Sequence, residues 1–147
     1  MFVHMDKCSA INIMLHSKDM RHRMGAHWDI WSKADIAHLS MALAPNTPSD
    51  QCSISQPIIQ KKFYAGRALL EDEYSKTGQH HWSFEQLPGE AVIIPLGCPH
   101  QVSNRGQCVK IACNFISHSH ISVLEDMEVS IQKMNFDLKW HMHTDLL

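Results

Sequence analysis

The chain contains 147 residues with a formal net charge of -2 and a pI near 6.6, a length that fits one domain. This charge provides no basic field for nucleic acid, and no apolar run approaches the ~20 residues that cross a bilayer. The five cysteines form no C-x-x-C pair, so neither a zinc finger nor a disulfide framework is indicated and a reducing compartment is favoured. We expect no signal peptide, because the charged and apolar regions of such a leader are missing.

Short strands are predicted in the first part of the chain. Residues 2–6 and 10–16 carry β-branched and apolar side chains, as two strands or as one bulged strand. The polar and cationic residues 17–24 are typical of a loop, and the alternating segment "AHWDIW" then predicts a further strand. The chain is therefore expected to begin with β-structure.

Two helices are predicted next. The first begins at Ser32, which has the spacing of a capping box to Asp35, and it ends at Pro45. Its apolar stripe consists of Ile36, Leu39 and Leu43. The second helix is predicted over residues 58–76, because Gly78 follows in the usual position of a left-handed cap.

The later half of the chain predicts a sheet. Three segments bounded by turn signals have strand composition: "HHWSFEQL", "EAVIIP" and "QCVKIACNFI". A final helix is predicted from Ser117 or Ser119 to about Met134. Mixed strands and helices in this order predict a mainly β fold with helices, of the α+β class.

Three residues form a candidate metal site. His4 and Asp6 are two positions apart on a predicted strand, so their side chains point to the same face. His100 follows a strand that bends through Gly97 and Pro99, which places it on the next strand or at its lip. Two histidines and one carboxylate, with three coordination positions open, are the arrangement of non-haem Fe(II) oxygenases. A bidentate 2-oxo acid takes two open positions and O₂ the third.

Other histidine pairs compete for this assignment. His80 and His81 lie at the start of a predicted strand, and His118 and His120 lie at the entrance of a predicted helix. Solvent exposure is a sufficient explanation at both places, and an H-x-D tripeptide is by itself a weak signal. We prefer the set of His4, Asp6 and His100 because the turn residues Gly97 and Pro99 restrict the backbone just before His100.

Several segments together carry a resemblance to a known family. They are "VHMDKCSAINIML", "GAHWDIWSKADIAHL", "LPGEAVIIPLGCPHQVSN" and "CVKIACNFIS". In this order they resemble successive pieces of the JmjC domain of histone lysine demethylases, in particular the class that acts on methylated lysine 9 of histone H3. The "IP-G-PHQV-N" block is the most distinctive part.

The resemblance implies a fold, a chemistry and a partner. It implies a cupin-like double-stranded β-helix, or jelly roll, with Fe(II) and 2-oxoglutarate as cofactors. The implied activity is oxidative removal of N-methyl groups from a methylated histone tail or another methylated protein in the nucleus. By motif, His4 and Asp6 match the first two iron ligands and His100 matches the last.

The distal carboxylate of 2-oxoglutarate would need a cation inside the barrel. Lys110 lies on an apolar strand, where an inward lysine is costly unless it meets an anion. A solvent-facing lysine is equally compatible with strand alternation. Lys18 is the second choice, and Asn12 on the neighbouring strand would either orient the cofactor or satisfy backbone groups.

The chain departs from the family pattern in two respects. Family members carry several strands before the H-x-D motif, so we expect a single partial JmjC domain over residues 1–147, with an incomplete N-terminal side, a core at 2–125 and a helical tail at 119–147. The usual acidic pair after the strand lysine is replaced by Cys113 and Asn114. A catalytically silent binding or structural module therefore remains an alternative to the oxygenase, and a cupin-type metalloprotein of other chemistry is a third.

Overall fold

The computed structural model describes residues 1–18, 25–43, 58, 61, 63–77 and 81–121. In this part of the chain the strands are β1 (Ser9–Ser17), β2 (Ala26–Ile30), β3 (Trp82–Gln86), β4 (Ala91–Ile94), β5 (His100–Asn104) and β6 (Cys108–Phe115). The helices are α1 (Ile36–Leu43) and α2 (Arg67–Thr77), with 3-10 turns at Lys33–Asp35 and His118–His120. No described helix has the length and apolarity that a membrane span requires.

The strands form two antiparallel sheets that enclose a core. Their strand orders are β4-β1-β6 and β3-β2-β5. Core residues from the first sheet are Ala10, Met14, Val92 and Ile94, and those from the second are Ala26, Trp28, Ile30 and Val102. Alternate residues of each strand therefore meet between the sheets. The predicted mainly β, cupin-like fold is confirmed.

Gln86 ties the two sheets together inside this core. Its Nε2 donates to the carbonyl oxygens of Asn12 at 2.9 Å and Glu90 at 3.1 Å. Its Oε1 accepts from Nε1 of Trp28 at 2.9 Å. Since all of these polar atoms find partners, the indole of Trp28 is held in a defined orientation in the core.

A second apolar cluster lies beside the first. It consists of Val3, Trp31, Leu39, Leu43, Ile58 and Ala65. The stripe predicted for the first helix supplies two of its members, Leu39 and Leu43. Ser32 caps the entrance to that helix by accepting from the amide of Ala34 at 3.2 Å. Val3 anchors the N-terminal segment because its amide donates to the carbonyl of Phe63 at 2.8 Å.

Two predicted elements differ in the structure. Residues 2–6 form a single bridge between His4 and His100 rather than a strand. The helix predicted over 58–76 is interrupted, since Lys61 has φ of 52° and the helix begins at Arg67. The amide and carbonyl of Ala65 both bind the side chain of Gln101 at 2.9 Å, so they are not used in a helix.

The C-terminal prediction extends beyond the described part of the chain. The 3-10 turn at His118–His120 begins where a helix was predicted, and the described residues end at Ile121. The rest of the helix predicted to Met134 and of the tail at 119–147 lies outside the described residues.

Candidate metal centre

His4, Asp6 and His100 converge at one edge of the second sheet. One potential ligand atom from each lies within 4.8 Å of the others, and within the described residues no other set of three meets this condition. The two imidazole centroids are 4.2 Å apart, and His100 Nε2 lies 3.8 Å from Asp6 Oδ2. Ligand atoms that bind one metal at about 2.0–2.2 Å lie roughly 3–4 Å from one another. The three side chains would therefore need to move only slightly closer together to bind one ion.

The backbone holds the two histidines side by side. The amide of His4 donates to the carbonyl of His100 at 3.0 Å, and the amide of His100 donates back at 2.8 Å. The turn before His100 is closed by the Cys98 amide and the Pro95 carbonyl at 3.2 Å, with Gly97 at φ of 73°. Glycine adopts a positive φ at this position without strain. The turn formed by Gly97 and its neighbouring prolines therefore places His100 at the first residue of β5.

Hydrogen bonds set the tautomer of both rings. His4 Nδ1 lies 2.9 Å from the carbonyl oxygen of Phe2, and His100 Nδ1 lies 3.1 Å from that of Cys98. A carbonyl only accepts, so each Nδ1 donates and each neutral ring keeps its lone pair on Nε2. Metal-binding histidines are commonly oriented in this way.

Burial favours the neutral rings that a metal needs. His4 is 5% exposed and His100 is 1% exposed. Burial lowers the pKa of His4, and burial together with the neighbouring His4 lowers the pKa of His100. The Asp6 side chain is 30% exposed and supplies the only carboxylate of the set. Two neutral nitrogens and one carboxylate fit an Fe(II) ion with open positions.

Lys110 lies on the inner face of β6. It pairs in register with Met14, a fully buried core residue, and directly opposed residues share a face of the sheet. Its Nζ lies 5.4 Å from the centroid of the Trp28 ring and donates to Oδ1 of Asn104 at 2.8 Å. Burial lowers the pKa of Lys110, which means that its charge lacks full compensation. The Trp28 ring is itself stacked on His100 at 6.2 Å.

Asn12 and Lys18 occupy different environments. Asn12 pairs with Val92 and Ala112 on the same inner face, and its Oδ1 is buried with no hydrogen-bond partner among the described residues. A 180° rotation of this amide would place Nδ2 at the same position, where it would donate to a carboxylate. The Lys18 side chain is exposed just beyond the end of β1, so the structure does not bring it to the interior.

The competing histidines lie elsewhere. His81 lies beside Asp29 at 3.3 Å, His120 Nδ1 lies 3.4 Å from Ser9 Oγ, and His118 is exposed. His80 lies outside the described residues. Sequence reasoning gave no role to Trp28 or Asn104, although the alternation in "AHWDIW" marks the indole as inward.

Fold and donor set define a cupin-like β protein with a candidate metal centre. A family model described as "JmjC domain, hydroxylase" matches residues 3–115. The chain therefore belongs to the JmjC family.

Curated relatives include lysine-specific demethylases. Lysine-specific demethylase JMJ28 of Arabidopsis thaliana is 29% identical over 120 residues, which cover 76% of this chain and 13% of the relative. Lysine-specific demethylase 3A of Mus musculus is 31% identical over 104 residues, which cover 69% of this chain and 8% of the relative. Lysine-specific demethylase JMJ29 of Arabidopsis thaliana is 36% identical over 106 residues, which cover 65% of this chain and 12% of the relative. The chain thus spans a small part of the length of these relatives.

Proposed function

We propose that this chain is an Fe(II)- and 2-oxoglutarate-dependent oxygenase of the histone lysine demethylase type. The observation that carries the proposal is the convergence of His4, Asp6 and His100 with both histidine Nε2 atoms left as acceptors. Membership in the JmjC family and the names of the relatives support a methylated histone tail as substrate and the nucleus as location.

His4, Asp6 and His100 would hold the iron. When bound, Fe(II) and 2-oxoglutarate supply the oxidising chemistry: O₂ oxidises 2-oxoglutarate to succinate and CO₂ and hydroxylates an N-methyl group, which then leaves as formaldehyde. The chain itself contributes orientation. The backbone pair between His4 and His100 fixes the two rings, and the partly exposed Asp6 leaves that side of the centre accessible to a substrate.

Lys110 and Asn12 would hold the distal carboxylate of 2-oxoglutarate. Both lie on the inner face of the first sheet, as diagonal neighbours on paired strands. The Lys110 ammonium is partly desolvated, so a bound anion would stabilise its positive charge through a charge-assisted hydrogen bond. The Asn12 amide is the second donor, because its buried end has no partner in the described structure.

Succinate formation tests the proposal directly. The chain is incubated anaerobically with Fe(II) and 2-oxoglutarate, exposed to O₂, and assayed for succinate and formaldehyde with methylated histone H3 peptides. We expect peptide-dependent formation of both products in the wild type and none in Asp6→Ala. If the wild type binds Fe(II) and 2-oxoglutarate but forms neither product with any peptide, the chain is a catalytically silent module and the proposal is wrong.

A further inference from the structure

A second cluster of metal-binding side chains lies on the outer face of the second sheet. His27 and Asp29 alternate along β2, and Ser83 and Glu85 lie directly opposite them on β3. His81 precedes β3 and its ring stacks on Trp31 with centroids 5.3 Å apart. Since Trp28 points into the core between the sheets, its neighbours on β2 point to the opposite face.

Asp29 is the buried centre of this cluster. Its side chain is 2% exposed, and its Oδ2 accepts from Nε2 of Gln101 at 2.9 Å. Its Oδ1 lies 3.3 Å from Nε2 of His27 and 3.3 Å from Nε2 of His81, yet it has no well-aligned hydrogen bond within the described part of the chain. Burial alone would raise the pKa of Asp29, but the groups around it lower this pKa to about 2, so the carboxylate is ionised.

Glu85 sets which nitrogen of the neutral His27 ring carries the lone pair. Glu85 Oε1 lies 2.9 Å from His27 Nδ1 and also accepts from the guanidinium of Arg105 at 3.2 Å. A carboxylate only accepts, so Nδ1 of His27 donates to it. In the neutral ring Nε2 then carries the lone pair, and the Ser83 hydroxyl oxygen lies 3.1 Å from this nitrogen. In that neutral form Nε2 of His27 and Oδ1 of Asp29 are two electron-pair donors 3.3 Å apart, a separation that a shared cation would bridge.

We propose that His27, Asp29 and His81 form a second metal site, for a divalent transition metal of the zinc class. Imidazole and carboxylate ligands suit Zn²⁺, which commonly takes three protein ligands and one solvent molecule. A metal-binding histidine that donates its other ring nitrogen to a carboxylate is the usual supporting arrangement, and Glu85 fills that role for His27.

The distances allow closure onto one ion. The separation of 3.3 Å from Asp29 Oδ1 to each histidine matches ligands about 2.0–2.1 Å from a shared zinc. The three atoms do not yet all lie within 4.8 Å, so an ion would have to bring the two rings together. Both rings are partly exposed, at 26% and 20%, and line a cavity of about 670 Å³ that gives them room to rotate. The fourth position would face this cavity.

This site is separate from the His4, Asp6 and His100 centre. On paired strands, Ile30 lies opposite His100 and Asp29 lies opposite Gln101. Successive residues of a strand point to opposite faces, so β5 presents His100 to the first centre and Gln101 to the second. The two ions would therefore bind back to back across one sheet with no shared ligand.

Zinc stoichiometry in the Asp6→Ala background tests the proposal, because that background removes the first centre. Purified full-length chain is stripped with chelator, dialysed against Zn²⁺, and its bound zinc is measured by mass spectrometry. We expect one equivalent in Asp6→Ala and none after adding His81→Gln or Asp29→Asn. The matched control His38→Gln, at an exposed histidine of α1, should keep one equivalent.

Substitution of Glu85, the carboxylate that accepts from His27 Nδ1, provides an independent test. Adding Glu85→Gln should weaken zinc binding by roughly 10–100-fold in competition with a coloured chelator, while leaving the stoichiometry at saturation unchanged. Circular dichroism verifies that each variant is folded. If Asp29→Asn does not fold, the zinc content of His81→Gln alone tests the proposal. The proposal is wrong if Asp6→Ala retains no zinc, or if folded His81→Gln retains as much zinc as His38→Gln.

Discussion

His4 and His100 exchange both of their backbone hydrogen bonds, so residues 96 positions apart form one antiparallel pair. This pairing brings the imidazole centroids to 4.2 Å while each Nδ1 is bound to a nearby carbonyl. Backbone pairing and the ring hydrogen bonds therefore fix the positions of the two histidines.

Removing Asp6 should abolish tight metal binding while the fold remains. The side chain is 30% exposed and lies outside both apolar clusters, so its loss leaves the core intact. We expect Asp6→Ala to lower Fe(II) or Mn(II) affinity by more than the roughly 10–100-fold typical of groups that only support a ligand. Anaerobic calorimetry measures the affinity, and Asp72→Ala at an exposed position of α2 is the control. Equal affinities in the two variants would contradict the assignment.

Removing Lys110 should weaken 2-oxoglutarate binding without affecting the metal. The ammonium is half-buried and already bonded to Asn104, so we expect the loss typical of a hydrogen bond to a charged group, about 1.5–3 kcal/mol. This corresponds to about one to two decades in Kd. Titration of 2-oxoglutarate into Mn(II)-loaded Lys110→Ala measures it, with exposed Lys18→Ala as the control. A loss seen only in Lys18→Ala would transfer the role to that residue.

Acidification should destabilise the metal-free chain from about neutral pH downward. The pKa values of His4 and His100 are lowered from 6.5 by burial, so below that pH the unfolded chain binds more protons than the folded one. Stability is present above pH 6.5 and is lost as pH falls toward the folded pKa values, by about 1.4 kcal/mol per pH unit for each such proton. Urea unfolding in chelator at several pH values measures this slope. A His4→Gln variant should show a shallower slope, and an unchanged slope would refute the explanation.

Gly25 should tolerate no side chain. A Cβ built there would lie 1.7 Å from the carbonyl oxygen of Gln86, which is backbone of the paired strand β3. We expect Gly25→Ala to lower the free energy of unfolding by about 1–3 kcal/mol or more. Gly106→Ala, where a Cβ meets nothing within 4 Å, should stay within about 0.5 kcal/mol of the wild type. Thermal unfolding of both variants gives the comparison, and equal transitions would show that β2 and β3 can separate at low cost.

Local sequence determined the elements whose signals are short-range. Gly97 and Gly89 have positive φ in turns that the nearby Pro99 and Pro88 also predict, because only glycine adopts such backbone without strain. The apolar stripe of α1 and the inward indole of Trp28 follow from periodicity. The resemblance to the JmjC family was likewise readable from motifs in order along the chain.

Tertiary contacts decided what periodicity could not. The helix predicted over 58–76 is broken because Gln101, far along the chain, binds both backbone groups of Ala65. The same Gln101 holds Asp29, and only the pairing of β2 with β3 brings His81 to that carboxylate. Strand pairing depends on which strands are adjacent in space, and a spacing rule along one strand contains no such information. The sequence by itself therefore predicted the candidate set of His4, Asp6 and His100, whereas the proposed set of His27, Asp29 and His81 became visible only in the folded sheet.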